Sequence, residues 1–370
     1  MRFLAFASVC VVLLVQNVLG QCDAVTVENT TVYKPFDYNY LIEADGLRNG
    51  PEYDQATLYY PKNNDNNLKP IVLAPGHTAT QQSISAWAKY LASRGFICMT
   101  IGTNSLWDFT DKRADALLDG METIRQENDR YNSPLFQRIN TDKIAVGGWS
   151  MGGGGAQLAA KKDSRIKAIL AIAPWLRTSR LSESDLNHNT PLLIISGQID
   201  PTAPPLLHAN LHYDYTPSST SKLLFEIELG DHYAPLYPST GRGDVGNIAY
   251  AWFKLFLDEN KCYCDMLNSG SLDINNKSSK YEIALNCKIL TIGKTSKPNL
   301  SLNAYPVPAN SEINVEFNSS KKTDYKIYNV FGQKLKNGII TANEKINIES
   351  LSNGIYYLKV GQTTIRFIIE

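Results

Sequence analysis

The chain has 370 residues, of which 43% are hydrophobic and 19% are charged, and its formal net charge is zero. This length is long for one domain and predicts more than one. The only charge asymmetry is a mild basic excess after residue 287, with eleven lysines and arginines against six acids, which is too dilute to indicate nucleic-acid binding.

The first twenty residues are typical of a secretory signal peptide. They carry Arg2, a long apolar run and a small residue, Gly20, at the end, so we expect the mature chain to begin near Gln21. A membrane anchor is the alternative, although the run is only marginally long enough to span a bilayer. A lipid anchor on Cys22 is a further alternative, for which Gln21 is a poor preceding residue.

Between residues 21 and 290, apolar runs alternate with segments of helical composition. The apolar runs are PIVLAPG, GFICMTIG, KIAVGG, IKAILAIAPW, PLLIISG and KLLFEIELG, and the longest helical patterns are SISAWAKYLASR, RADALLDGMETIRQ and GNIAYAWFKLFLDE. This alternation predicts a mostly parallel sheet covered by helices on both faces. In such sheets ligands bind beyond the carboxyl ends of the strands.

One serine lies among six glycines in GGWSMGGGGAQ, residues 147–157. An apolar run precedes it and helical composition follows, so Ser150 is expected on a strand-to-helix turn. The spacing of Gly148, Ser150 and Gly152 fits a nucleophile elbow, in which glycines permit the strained turn that raises the hydroxyl above a sheet. An ordinary glycine-rich loop is the alternative.

A serine nucleophile needs a general base, which is usually a histidine oriented by a carboxylate. Of the five histidines, only His232 follows both the serine and a carboxylate at a strand end, as the chain order Ser, Asp, His requires. His208 and His212 have the i, i+4 spacing of zinc ligands but lack the glutamate of H-E-x-x-H, so we expect a solvated helix and no metal. His188 lies in a polar run and is expected at the surface.

The expected carboxylate is Asp200, which ends the run PLLIISGQID. Asp231 is adjacent to His232, and adjacent side chains seldom point at each other. The alternative for Asp200 is a turn-forming aspartate before Pro201.

The tetrahedral intermediate needs N–H donors from the residue after the nucleophile and from the loop after an early strand. These donors are expected to be the amides of Met151 and of His77, which lies in APGHTATQQS. Only fifteen residues, 176–190, separate two later strands, too few for a helical lid. Trp175 is then expected as an aromatic wall of an open groove, with a core tryptophan as the alternative.

Cysteines of an exported chain meet an oxidising compartment. Cys98 lies in an apolar run and is expected to be a buried thiol, whereas Cys22, Cys262, Cys264 and Cys287 predict two disulfides. Cys262 and Cys264 are too close in sequence to pair easily. We therefore expect one of them to pair with Cys22 and the other with Cys287, in an order that stays open.

Six ordered motifs, PGHTATQQS, LASRGF with TIGTNS, GWSMGGGG, APW, DPTAP and GDH, resemble those of bacterial cutinases and poly(ethylene terephthalate) hydrolases over about residues 45–287. The resemblance implies a lidless α/β-hydrolase that cleaves polyesters without a cofactor. It also implies roles for particular residues: Ser150 as nucleophile, Asp200 as acid, His232 as base, the His77 and Met151 amides as oxyanion hole, and Trp175 as an aromatic platform. A terminal disulfide ending at Cys287 is similar to that of the family.

The chain departs from this family at His77, where a tyrosine or phenylalanine usually clamps an aromatic substrate opposite the tryptophan. A smaller, polar imidazole should weaken that clamp and slow polyester turnover. We therefore expect His77→Tyr or His77→Phe to raise polyester hydrolysis relative to short-ester hydrolysis.

After a linker at residues 291–300, the pattern changes to short alternating runs broken by glycine turns, which predicts a small antiparallel β-sandwich over residues 301–370. From Tyr305 onward it resembles the C-terminal sorting domain of the type IX secretion system, with Val307 in place of the usual asparagine between the prolines. This resemblance implies an interaction with the secretion machinery, then cleavage or attachment at the cell surface. A carbohydrate- or polymer-binding module is the alternative.

Together these features predict a secreted, monomeric serine carboxylester hydrolase that cleaves polyesters through an acyl-enzyme. Two alternatives stay open. One is a peptidase or small-ester esterase of the same fold, and the other is a non-catalytic surface-binding protein on a hydrolase scaffold.

Overall fold

The structure is a computed structural model that describes residues 22, 25–31, 35–62, 65–176, 181–285, 302–317, 322–329, 333–341, 343–360 and 363–370. Internal contacts divide the chain into two compact units, Met1–Ile289 and Leu290–Glu370. The expected signal peptide at residues 1–20, the linker at residues 291–300 and Cys287 lie outside the described residues. No helix in the described ranges is long and apolar enough to cross a bilayer.

The first unit contains one sheet. Its strands are β1 (Tyr38–Leu41), β2 (Ala56–Pro61), β3 (Pro70–Ala74), β4 (Ile97–Ile101), β5 (Ala145–Trp149), β6 (Ala168–Ile172), β7 (Leu192–Gly197), β8 (Lys222–Ile227) and β9 (Ser278–Ala284). Their order in the sheet is β1-β2-β4-β3-β5-β6-β7-β8-β9. The pairs from β4 to β8 are parallel, and β1, β2 and β9 join antiparallel at the two edges.

Seven α-helices are described in this unit: α1 (Val27–Thr31), α2 (Ser85–Ala92), α3 (Thr110–Asp129), α4 (Met151–Lys162), α5 (Ala209–Tyr215), α6 (Asp244–Phe256) and α7 (Cys262–Ser269). Two buried apolar clusters lie on opposite faces of the sheet. One includes residues of α2 and α6, and the other includes residues of α3 and α4.

Successive strand residues join opposite clusters: Ile71 and Leu73 pack with one, Val72 and Ala74 with the other. Burial on both faces explains why these strands are continuous apolar runs. The predicted α/β class and mostly parallel sheet are confirmed. Five of the six predicted runs contain one of the strands β3 to β8, and β5 extends one residue beyond the run KIAVGG, to Trp149.

The second unit consists of strands alone among its described residues: β10 (Leu302–Tyr305), β11 (Glu312–Phe317), β12 (Thr323–Asn329), β13 (Lys334–Ile340), β14 (Glu344–Asn347), β15 (Gly354–Val360) and β16 (Thr363–Ile369). They form a three-stranded sheet, β10-β11-β14, and a four-stranded sheet, β13-β12-β15-β16. All pairs are antiparallel. Apolar residues from both sheets share one buried cluster, which includes Ile313, Ile327 and Phe367.

The cysteines partly resolve the open pairing. Cys22 and Cys262 form a disulfide, with their Cα atoms 5.2 Å apart. Cys264 is also disulfide-bonded, while the expected partner, Cys287, lies outside the described residues. Cys98 is a buried free thiol, and burial raises its pKa well above its ordinary value.

Two expectations about histidines are wrong. His188 is 5% exposed rather than at the surface, because the polar segment that carries it packs against the body of the unit. His212 is fully buried rather than on a solvated helix face, and its Nδ1 lies 2.6 Å from Nε2 of Gln157. His208 precedes α5, and its ring stacks on that of Trp175 with centroids 6.1 Å apart.

Candidate active site

Ser150 lies between the end of β5 and the start of α4, as a strand-to-helix turn requires. Its φ of 56° and ψ of −118° are strained for a residue with a Cβ. The strain persists because the turn is tied on both sides: its N–H donates to Ile172 O at 2.8 Å, and its carbonyl accepts from Trp175 N at 2.9 Å and Gly154 N at 3.1 Å. The side chain is therefore presented at the carboxyl edge of the sheet.

Gly148 and Gly152, the two glycines of the elbow, lie so close to neighbouring backbone that neither position has room for a side chain. A Cβ on Gly148 would lie 2.6 Å from Ala74 O, and a Cβ on Gly152 would lie 2.2 Å from the same oxygen. The first turn of α4 consequently packs directly on the end of β3, the strand that precedes the loop of His77.

His232 and Asp200 meet at this edge. Asp200 follows β7 and His232 follows β8, the neighbouring strand. Nδ1 of His232 lies 2.6 Å from Oδ2 of Asp200, and both residues are almost fully buried. The loop of His232 is held beside the elbow, since Trp149 Nε1 donates to His232 O at 3.0 Å and the two rings are 5.1 Å apart.

The carboxylate of Asp200 has further donors. Its Oδ1 accepts hydrogen bonds from the N–H groups of Thr202 and Ala203, each at 2.8 Å. Burial raises the pKa of Asp200, but the hydrogen bonds from His232 and these amides outweigh it, so the pKa lies below its ordinary value. The carboxylate stays ionised at neutral pH.

Asp231, the other acid near His232, points elsewhere. Its Oδ1 accepts from the N–H groups of Tyr233 and Ala234, both at 2.9 Å. It stabilises the turn after His232, and Nδ1 of that imidazole contacts Asp200 instead.

The two expected amides belong to segments that adjoin Ser150. Met151 is the first residue of α4, where backbone N–H groups have no acceptor within the helix. His77 follows Gly76, and a Cβ on Gly76 would lie 3.1 Å from Ser150 Cβ and 2.7 Å from Trp149 Cε3. The loop of His77 therefore runs in contact with the elbow.

Trp175 and its neighbours form the next part of the edge. Trp175 lies three residues after β6, half-buried, with its N–H bonded to Ser150 O, so it is not a core tryptophan. In the described part of residues 173–191, the only helical element is a 3-10 turn at Glu183–Asp185.

The loop after β4 carries aromatic residues that no sequence motif singled out. Trp107 is 69% exposed and Phe109 is 56% exposed, and their rings lie 5.3 Å and 6.2 Å from that of His77. They follow a strand that ends at the same edge of the sheet as β5, and this position in the sequence could have revealed them. Among the described residues, no three His, Cys, Asp or Glu side chains are grouped to hold a metal ion.

This geometry is that of an α/β-hydrolase: a strained serine turn after the central strand of a mostly parallel sheet, with an aspartate after β7 paired to a histidine after β8. A family model described as PET hydrolase-like matches residues 37–287. A second, described as a secretion system C-terminal sorting domain, matches residues 303–370.

Curated relatives support the same assignment. Cutinase 2 of Thermobifida cellulosilytica is 34% identical over 230 residues, which cover 62% of this chain and 81% of that protein. Cutinase est1 of Thermobifida alba is 35% identical, over 61% of this chain and 71% of that protein. Bis(hydroxyethyl) terephthalate hydrolase of Streptomyces coelicolor is 33% identical, over 56% of this chain and 64% of that protein.

The chain belongs to the PET hydrolase-like family and is a carboxylic ester hydrolase. The C-terminal sorting domain marks it for secretion. Both predicted resemblances are confirmed.

Proposed function

We propose that this enzyme cleaves the ester bonds of polyesters through an acyl-enzyme, with Ser150 as nucleophile, His232 as general base and Asp200 as the carboxylate that orients it. The observation that carries the proposal is the 2.6 Å contact of His232 Nδ1 with Asp200 Oδ2 beside the strained turn of Ser150. This arrangement leaves Nε2 of His232 to take the serine proton.

In the acylation step, Ser150 Oγ attacks the ester carbonyl carbon while His232 Nε2 takes the hydroxyl proton. The carbonyl oxygen becomes an oxyanion, and the amides of His77 and Met151 are the donors proposed to stabilise it. The intermediate collapses, the alcohol leaves with the proton from His232, and an acyl-serine ester remains. Asp200 stays ionised throughout and stabilises the imidazolium.

In the deacylation step, His232 takes a proton from water, and the resulting nucleophile attacks the acyl carbon. The second tetrahedral intermediate releases a carboxylic acid and restores the Ser150 hydroxyl. No step needs a metal or an organic cofactor.

The polyester substrate is supported by the family match and by the apolar edge around Ser150. Trp175 and the aromatic loop after β4 offer ring faces against which an aromatic acyl group can pack. The names of two of the relatives, a cutinase and a bis(hydroxyethyl) terephthalate hydrolase, agree with an ester substrate. His77 in place of an aromatic clamp favours slow turnover of solid polymer.

We further propose that residues 21–290 form the catalytic domain, residues 291–300 a linker and residues 301–370 the sorting domain, after removal of the signal peptide at residues 1–20. The enzyme then reaches the cell surface or medium as a monomer, through the machinery that recognises the sorting domain. The division of the chain into two compact units supports these boundaries.

The nucleophile can be tested by covalent trapping. Incubation of the enzyme with a nitrophenyl phosphonate should release one equivalent of nitrophenol and leave a phosphonyl adduct that peptide mass spectrometry assigns to Ser150. His232→Gln should slow trapping by orders of magnitude, and Ser150→Ala should abolish it. An adduct on another residue, or full trapping of the Ser150→Ala protein, would contradict the proposed site.

A further inference from the structure

Arg113 lies on α3 behind the proposed oxyanion loop and is fully buried. Its Nη1 donates to Pro75 O at 3.0 Å, and its Nη2 is 3.4 Å from Leu106 O. Both acceptors are backbone carbonyl oxygens of loops at the catalytic edge. Pro75 lies two residues before His77, and Leu106 opens the aromatic loop of Trp107 and Phe109.

Burying a cation costs desolvation free energy unless hydrogen bonds to the charged group offset it. Burial lowers the pKa of Arg113 to about 10, and the charge of Asp108 partly opposes this effect. The guanidinium is therefore still protonated at neutral pH. Its planar fork can hold two carbonyl oxygens in a fixed relation, which an ammonium group cannot do.

The loop that Arg113 contacts contains a strained residue. Thr78, directly after His77, has a φ of 56°, which costs free energy for a residue with a Cβ unless its surroundings hold it. Its N–H donates to Leu106 O at 2.8 Å, the same oxygen that Arg113 Nη2 approaches. Arg113 and Thr78 thus fasten the two loops to one another at a single carbonyl group.

The opposite side of the same loop meets the elbow. Gly76 has no room for a Cβ against Trp149 and Ser150, so the His77 loop is enclosed between the serine turn and the guanidinium. Arg113 itself packs on the elbow helix, since a Cβ on Gly155 would lie 2.9 Å from Arg113 Cβ.

From these contacts we infer that Arg113 is a positioning residue for hydrolysis: it clamps the carbonyl groups of Pro75 and Leu106, and so fixes the His77 amide and the aromatic loop relative to Ser150. The inference rests on the proposed function of Ser150 and His77. Arg113 acts through the loops and does not touch the substrate.

The clamp should matter most in the transition state, because an oxyanion donor stabilises charge that develops only there. Loosening the loop should lower kcat for any ester, including a short nitrophenyl ester too small to use the aromatic loop. Binding of such a small ester depends little on the loop, so KM should change much less than kcat.

The test compares Arg113→Gln and Arg113→Lys with wild type on a short nitrophenyl ester. We expect Arg113→Gln to lower kcat by about 10²-fold, the scale of a small misplacement in an active site, with KM changed less than about threefold by the reasoning above. Arg113→Lys should recover part of the loss, because one ammonium group can keep the charge and one carbonyl contact.

Thr123→Val is the matched control. Thr123 is fully buried on the same helix and bonds Arg48 and Tyr53 rather than the catalytic loops. Thr123→Val should lower the melting temperature while leaving kcat near the wild-type value. A control that loses as much kcat as Arg113→Gln would reduce Arg113 to a stability residue and overturn the inference.

Two further outcomes are decisive. If folded Arg113→Gln has a kcat within about threefold of wild type, well short of the expected misplacement cost, while Ser150→Ala is inactive, the clamp is wrong and the proposed function stands. If Ser150→Ala keeps full activity, the proposed function itself fails. If Arg113→Gln does not fold, Arg113→Lys decides: a native melting temperature with unchanged kcat overturns the inference, and a kcat loss at constant KM supports it.

Discussion

At the scale of single residues, the site depends on groups held in unfavourable states by their neighbours. Ser150 keeps a strained backbone because three hydrogen bonds hold its turn, and Asp200 stays ionised in a buried place because it accepts three hydrogen bonds. The glycine pattern and the order Ser, Asp, His were enough to predict where these residues lie. The role of Arg113 could not be predicted, because no pattern tells which carbonyl groups a helical arginine reaches.

The buried histidines make folding stability depend on pH. Burial lowers the pKa of His188 to about 4, and burial together with the nearby imidazoles lowers that of His212 to about 3, against 6.5 in the unfolded chain. Below pH 6.5 the unfolded chain takes up protons that the folded chain does not, so stability falls as the pH falls. At pH 5 each of these two histidines should lower the free energy of unfolding by about 2 kcal/mol relative to neutral pH.

Urea unfolding at pH 7 and pH 5 measures this loss. In His188→Gln, the free energy of unfolding should differ between pH 7 and pH 5 by about 2 kcal/mol less than in wild type, because one titrating group is gone. An unchanged difference would mean that the His188 imidazole is protonated in the folded chain at pH 5, contrary to its buried environment.

At the scale of elements, the parallel strands β3 to β8 were predicted from sequence, and the antiparallel strands β1, β2 and β9 were not. Strands β3 to β8 are continuous apolar runs because helices cover both sides of the sheet. Edge strand β1 is exposed at three of its four residues, and β9 has no buried residue. Such half-solvated strands carry mixed sequences that resemble loops, so their pattern alone does not reveal them.

The junction of β3, β5 and α4 should tolerate no added atom. In Gly152→Ala, the new Cβ would meet Ala74 O and Pro75 O, backbone atoms that cannot turn aside. We expect kcat on a short ester to fall by about 10²-fold even in protein that is folded, because the serine turn must shift.

Ala159→Gly on the same helix is the control for Gly152→Ala. It should cost about 1 kcal/mol of stability through helix propensity and leave kcat nearly unchanged. Thermal unfolding and ester kinetics on both variants check this pair, and equal kcat losses would argue against a special constraint at the elbow.

The exposed apolar side chains of two loops at the carboxyl edge of the sheet should adsorb the enzyme to solid polymer. Leu106, Trp107 and Phe109 follow β4, and Leu206 and Leu207 follow β7, all of them exposed. Trp107→Ala should lower the ratio of film binding to soluble-ester turnover by about tenfold, the scale of losing a large apolar contact.

Tyr131→Ala provides the comparison for Trp107→Ala. Tyr131 is 80% exposed but follows α3, away from the carboxyl edge of the sheet. Adsorption isotherms on polyester film should hardly change in this variant. Equal losses in both variants would indicate non-specific adsorption.

At the scale of the whole molecule, a disulfide bond adds to the stability that the buried core gives the first unit. The Cys22–Cys262 disulfide joins residues 240 apart in sequence, and closing so long a loop in the unfolded chain can contribute about 5 kcal/mol in the chain-entropy account. The Cys22→Ala/Cys262→Ala double variant should therefore melt well below wild type, while its kcat at low temperature stays near that of wild type. Equal melting temperatures would mean that this bond adds no stability.

The two units have different functions, since hydrolysis is assigned to the first and export to the second. We propose that the first unit is a serine-dependent hydrolase whose open, apolar edge accepts solid polyester. The most direct measurement is the release of soluble aromatic acids from amorphous aromatic-polyester film by wild type and by Ser150→Ala, with a short nitrophenyl ester alongside. We expect wild type to release acid and hydrolyse the ester, and Ser150→Ala to do neither. Hydrolysis of the short ester without release from film would contradict the polyester substrate, and acid release by folded Ser150→Ala would contradict the catalytic site itself.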